Sequence, residues 1–136
     1  MKVDKVTFKT IGDSRGWLVV AENGAQIPFL VKRIYYIYGV KDGKRRGFHA
    51  HKKLKQLLVC VSGKCTIMLT DGKTKEDIIL DKSYEAIYIE DCIWREMYDF
   101  SDDAVLLVLA SENYDENDYI RNYDEFIAYR NKIENN

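Results

Sequence analysis

What most limits the folds open to this chain is the brevity of its apolar runs. Val3–Phe8, Trp17–Ala21, Lys32–Tyr38, Leu54–Val61, Cys65–Leu69, Asp77–Leu80, Ala86–Ile89, Arg95–Asp99 and Val105–Ala110 are short and rich in Val, Ile, Leu, Tyr and Phe. Residues of these types suit a pleated, half-buried strand. Turn chemistry separates them: KDGK, SGK and TDGK place Gly where tight hairpins need a positive φ. The single proline, Pro28, falls in the loop before the third run. Strands this short and this closely spaced predict a β-sandwich or barrel, not a parallel α/β sheet. From Glu116 the pattern changes. Ile120, Tyr123, Ile127, Arg130 and Ile133 recur at helical spacing, and Tyr119 and Phe126 widen the stripe. That predicts one amphipathic C-terminal helix, packed on the barrel or on a second subunit. With no linker, repeat or low-complexity tract, residues 1–136 read as one domain.

Charge and composition exclude several roles. A net charge of −1 with both signs dispersed offers no large basic surface for nucleic acid or membrane. No run approaches the roughly 20 apolar residues of a membrane span, and MKVDKVTFKT lacks a signal-peptide core. The three cysteines, Cys60, Cys65 and Cys92, are odd in number and lack metal-type spacing. Buried, reduced thiols in a cytoplasmic protein are the expectation.

The chemistry is concentrated in RGFHAHKKLKQLLVCVSG, Arg46 to Gly63, which holds both histidines of the chain. On a strand, His49 and His51 share one face, roughly 6–7 Å apart along the chain. A metal site, an acid–base pair and two structural core histidines are the candidate explanations. The spacing G-x-H-x-H-x4-Q-x6-G, from Gly47 to Gly63, resembles the first motif of the cupins, small double-stranded β-helix barrels of jelly-roll type. In metal-binding cupins two histidines, a glutamate and a later histidine hold the ion. Here the glutamate position is Gln56, a poor transition-metal ligand. The stretch YIEDCIWREMYDF, where the later histidine belongs, has Arg95 in that slot. A guanidinium cannot ligate a cation. Two histidines without a third strong ligand make a weak metal site, so no metal and no cofactor are expected.

Four blocks in order, VKRIYYI, RGFHAHKKLKQLLVCVSG, WREMYDF and VLLVLASENYDENDYIRNYDEF, sharpen the resemblance. Together they are similar to the dTDP-4-keto-6-deoxyglucose 3,4-ketoisomerases, metal-free cupins that supply 3-amino-3,6-dideoxyhexoses for bacterial surface glycans such as lipopolysaccharide. The resemblance covers Arg33 to Phe126. It implies an all-β cupin barrel with one C-terminal helix, and an isomerase acting on a dTDP-linked 4-keto-6-deoxyhexose. The apolar stripe of the C-terminal helix and the sheet edges a barrel must cover predict a symmetric homodimer, and the resemblance implies N-terminal strands exchanged between its subunits. The reaction needs a base at C3, stabilisation of an enediolate and proton transfers between the two oxygens. A histidine pKa of ~6.5 suits a base near neutral pH. The resemblance makes His49 that base, with His51 and Tyr35 as the groups that shuttle hydroxyl protons. Tyr35 and Tyr36 point to opposite faces of their strand, and the family turns the first of them inward.

For the diphosphate, arginine forks suit paired, charge-assisted hydrogen bonds. Arg33, Arg46 and Arg95 sit on or beside the strands expected to line the pocket. Arg15 and Arg121 are further candidates from a loop or a neighbouring subunit, and Gln56 is placed to bond a sugar hydroxyl. Two alternatives stand beside the isomerase. One is a deoxysugar 3,5-epimerase, which needs a histidine–aspartate pairing and a tyrosine acid, an arrangement not found in this sequence. The other is a non-catalytic sugar-binding cupin. Within the family the residue after the tryptophan varies between Arg and His, and Arg95 leans the product toward the gluco rather than the galacto series.

Overall fold

The computed structural model describes residues 1, 3–90 and 92–136. Lys2 and Asp91, the latter within YIEDCIWREMYDF, lie outside the described residues. The strands are β1 (Asp4–Thr7), β2 (Lys9–Asp13), β3 (Gly16–Val20), β4 (Arg33–Tyr38), β5 (Arg46–His51) and β6 (Gln56–Ser62). They continue with β7 (Cys65–Thr70), β8 (Lys75–Leu80), β9 (Glu85–Ile89), β10 (Trp94–Tyr98), β11 (Val105–Ala110) and β12 (Tyr119–Ile120), and the chain ends in α1 (Tyr123–Glu134). Two five-stranded sheets form, ordered β1-β9-β6-β11-β4 and β12-β5-β10-β7-β8, with β2 and β3 in a separate hairpin. The named ladders are antiparallel. This is the all-β jelly-roll barrel of the cupins with a single C-terminal helix.

The core explains the sequence pattern. Leu58 and Cys60 of β6 point between the sheets and meet Ile67 and Leu69 of β7, Ile87 of β9, Met97 of β10 and Leu106 and Val108 of β11. The alternate residues Leu57 and Val59 face outward, where Phe8 and Ile27 cover them. This is why β6 reads as a continuous apolar run rather than an alternating one. On the other sheet, Phe126 of α1 packs with Trp94, Met68 and Ala50 and is fully buried.

The start of the helix differs from the sequence expectation. Tyr119 and Ile120 pair with His51 and Ala50 as β12, and Glu116–Asp118 form a 3-10 turn. The α-helix begins only after Asn122, whose side chain accepts the Glu125 N–H at 3.0 Å. Ile120 satisfies an apolar pattern at either geometry, because it is buried beneath the sheet. The Asn122 cap decides where helix starts.

β5 carries the second departure from simple pattern reading. Arg95 pairs with His49 and Glu96 with Gly47, so one step on β10 spans two on β5, with Phe48 as the extra residue. Phe48 has φ 60° and Gly47 φ 94°. Such bulges re-aim the side chains that follow them, and here the next residue is His49.

Candidate active site

A cavity of about 470 Å³ opens against β4, β5 and the segment after the 3-10 turn. Its wall includes Arg33, Tyr35, Arg46, His49, Tyr119 and Arg121. The ladder of β4 explains Tyr35. Successive side chains alternate, so Arg33, Tyr35 and Ile37 turn inward while Ile34, Tyr36 and Tyr38 are exposed. Tyr35 packs against the core, and its hydroxyl accepts from Gln56 Nε2 at 3.1 Å. Burial raises its pKa above the ordinary phenol value, so it remains a proton donor at neutral pH.

The two histidine rings stand edge to face, with centroids 4.9 Å apart. Tyr119 packs against both, at 5.1 Å from His49 and 4.3 Å from His51. His49 lies on the cavity wall, whereas His51 is buried behind it. Burial first, and then the Arg95 charge, push His49 down to about 4 and hold His51 neutral as well. The neutral imidazole is the form that takes a proton. His51 Nδ1 lies 3.1 Å from Asp118 Oδ2. The histidine–aspartate pairing absent from the sequence reading is therefore present, supplied by the turn before β12. Among the described residues no cluster of three or more His, Cys, Asp or Glu side chains has the geometry of a metal site.

The arginines divide into three groups. Arg33, Arg46 and Arg121 line the cavity, with the Arg33 guanidinium 5.3 Å from the Tyr35 ring centre. Arg121 lies 4.2 Å over the Tyr119 ring and makes paired bonds to Glu116, at 2.7 and 2.9 Å. Arg95 is wholly buried rather than presented to the cavity. It donates to Gln56 Oε1 and, at 2.9 Å, to the Ile93 carbonyl. Gln56 is buried with it, its amide shared between Arg95 and Tyr35. These two residues thus form a buried brace for the tyrosine and keep a positive charge beneath the histidines. Arg15 sits at the tip of the β2–β3 hairpin, exposed and paired with Asp13 at 2.6 Å, outside this cavity wall.

Sequence reasoning missed Asp118, Tyr119 and Glu116. All three fall in ENYDENDYIRNYDEF, whose polar text reads as the lead-in to a helix. The available signal was the β-prone Tyr119–Ile120 pair itself.

A cupin-type barrel with one histidine on its cavity wall among arginines and a second behind it defines a class, that of cupin-type barrels with no metal-ligand cluster among the described residues. The comparisons with known proteins narrow it. The family described as WxcM-like, C-terminal (FdtA) matches residues 1–131, and the chain belongs to it. The chain is 52% identical over 128 residues to the TDP-4-oxo-6-deoxy-alpha-D-glucose-3,4-oxoisomerase of Aneurinibacillus thermoaerophilus, covering 94% of this chain and 92% of that protein. A 3,4-ketoisomerase from Helicobacter canadensis superposes with TM-score 0.93 at 47% identity, over 96% of this chain and 98% of that one. A mutant of the 3,4-ketoisomerase QdtA from Thermoanaerobacterium thermosaccharolyticum, solved with TDP-4-keto-6-deoxyglucose, gives TM-score 0.93 at 45% identity, over 96% and 94%. The chain is an enzyme of the isomerase class.

Proposed function

We propose that this chain converts dTDP-4-keto-6-deoxy-D-glucose to the dTDP-3-keto-6-deoxyhexose through an enediolate. The observation that carries this reading is a neutral histidine on the wall of a cavity lined by Arg33, Arg46 and Arg121. The arginines suit a diphosphate, and the histidine suits removal of the proton alpha to a ketone. His49 is the base at C3. The enediolate is stabilised by the donor from Tyr35 and by the positive charge of Arg95 beneath the site. His51 and Tyr35 move the hydroxyl protons between the two oxygens, and no redox cofactor or metal is required. Arg15 joins the site from a neighbouring subunit, and residues 1–136 act as one domain.

The product is the gluco (quinovose) ketosugar, which a 3-aminotransferase consumes on the way to a 3-amino-3,6-dideoxysugar of a surface glycan. Arg95 in the variable slot after Trp94 supports that choice. The test is NMR of the product after coupling to a 3-aminotransferase. An equatorial C4 hydroxyl is expected, and an axial one would reverse the assignment to the galacto (fucose) series. Epimerisation would instead leave the carbonyl at C4 with inversion elsewhere. Mere binding would leave the sugar unchanged. Activity is expected to survive prolonged chelation, and strong loss restored by one metal would contradict the mechanism.

The depressed His49 pKa fixes the acid limb of the pH profile. The base is active when neutral, and protonation waits until the pH falls through about 4. For the free enzyme, kcat/KM should therefore stay flat from pH 7 down to about pH 5 and drop only below it. A limb centred near 6.5 would show an unperturbed histidine.

The active form is a homodimer. Ile34, Tyr36 and Tyr38 present an exposed apolar row on β4, the edge strand of its sheet, and Ile11, Trp17 and Leu18 are exposed on the β2–β3 hairpin. Edge strands with apolar faces call for cover. Light scattering at micromolar concentration is expected to give twice the 15.9 kDa chain mass, and a monomer would contradict it. The described residues include no helix long and apolar enough to cross a membrane. The buried free thiols Cys60, Cys65 and Cys92 suit the reducing cytoplasm.

A further inference from the structure

Strand β12 is only two residues long, yet its register determines what stands beside His51. Tyr119 pairs with His51 and Ile120 with Ala50, while the Lys52 N–H donates to the Asp118 carbonyl at 3.0 Å. This sets the Asp118 carboxylate against the imidazole, Nδ1 to Oδ2 at 3.1 Å. The other carboxylate oxygen, Oδ1, accepts the Lys53 backbone N–H at 2.8 Å. His51 is 1% exposed, and its Nε2 is buried without a hydrogen-bond partner among the described residues. An ionised carboxylate only accepts hydrogen bonds. A neutral His51 beside it must therefore carry its proton on Nδ1 and leave the lone pair on Nε2.

We propose that Asp118 is a positioning residue that holds His51 in the Nδ1–H tautomer, making Nε2 the acceptor for the C3 hydroxyl proton of the ketosugar. The inference rests on the 3,4-ketoisomerase reading. The step balances with water as the one other proton source. His49 takes the C3 hydrogen as a proton, the C3–H electron pair forms the C3–C4 double bond, and the carbonyl pair moves onto O4. His51 Nε2 takes the proton from O3 and returns it to O4. As the O3–C3 carbonyl forms, C4 takes a proton from water on the face opposite His49, as the gluco product requires, and His49 gives its proton to solvent. Each histidine ends in its starting state. A His51 protonated on Nε2 has no site for the O3 proton, so the relay depends on the tautomer.

The bland role for Asp118 is to tie the turn to the backbone of Lys52 and Lys53. The two roles separate in Asp118→Asn, which is nearly isosteric. The Lys53 N–H requires an acceptor and so keeps the amide oxygen. The amide nitrogen then faces His51 Nδ1 and donates to it, which forces the His51 proton onto Nε2. The experiment is NMR of 15N-histidine-labelled protein, with His49→Asn used to assign the two rings, together with steady-state kinetics on the nucleotide ketosugar. Wild-type His51 is expected to be protonated on Nδ1. In Asp118→Asn it should be protonated on Nε2, with kcat about 100-fold lower and KM within about threefold of wild type. Wild-type His51 protonated on Nε2 would overturn the proposal, and that measurement does not depend on Asp118→Asn folding. A reversed tautomer with kcat retained would overturn it as well. A wild type that shows the expected tautomer but no turnover would refute the ketoisomerase reading instead, and leave the hold of Asp118 on His51 standing.

Discussion

Replacing His49 by asparagine is expected to abolish turnover while leaving the fold and the affinity for TDP close to wild type. Asparagine is near imidazole in shape and polarity but cannot take a proton from carbon. General acid–base groups contribute about 10²–10⁴-fold, and the loss here should reach or exceed the top of that range. His49 is only partly buried on the cavity wall, so the substitution disturbs little packing. His51→Asn should cost less, within that range, since hydroxyl protons also pass through Tyr35 or water. Circular dichroism, TDP titration and a turnover assay on each variant check the ordering. Retained activity in His49→Asn, or loss only through unfolding, would make the two histidines structural.

Gly47→Ala is expected to be the most damaging small substitution near the site. A Cβ at this position would lie 2.9 Å from the Arg95 carbonyl oxygen, 2.9 Å from Met97 Sδ and 3.2 Å from Glu96 Cα. Its φ of 94° is one that side chains rarely adopt. Backbone cannot yield as a flexible side chain does, so the bulge must open and carry His49 with it. A cost of about 3 kcal/mol follows, or a fall in Tm of about 10 °C, together with loss of activity. Phe48→Gly is the control. Phe48 is exposed at φ 60°, so glycine there relieves strain and should leave Tm level or slightly raised. Thermal melts of both variants check the contrast, and a Gly47→Ala protein as stable as wild type would show that the bulge is soft.

Most strands were legible because short β-prone runs are separated by turns that contain glycine; β2, exposed along its whole length, was not. The histidine spacing was legible because residues two apart on β5 share a face whatever lies around them. Three further features were not legible, each for a physical reason. The bulge at Phe48 depends on pairing with β10, which no local pattern encodes. The Tyr119–Ile120 strand sits inside a stripe that fits a helix equally well, and the decision is made by pairing with β5 and by the Asn122 cap. Asp118 reaches His51 across a separation of 67 residues, and an aspartate in polar text has nothing to distinguish it. Arg95 shows the same limit. Residue type suggested a phosphate ligand, but only the fold reveals a guanidinium closed off by Gln56 and the Ile93 carbonyl.

The central claim of the proposed function is that the carbonyl of a nucleotide-linked sugar moves from C4 to C3 with His49 as the base. The most direct test is 13C NMR of dTDP-4-keto-6-deoxyglucose labelled at C3 and C4, incubated with wild-type protein in deuterated water. The account predicts that the C4 carbonyl signal declines while a C3 carbonyl signal grows, with deuterium from solvent at the new C4–H. The His49→Asn protein should leave the spectrum unchanged. A wild-type spectrum that keeps its carbonyl at C4, or one that changes equally with His49→Asn, would contradict it.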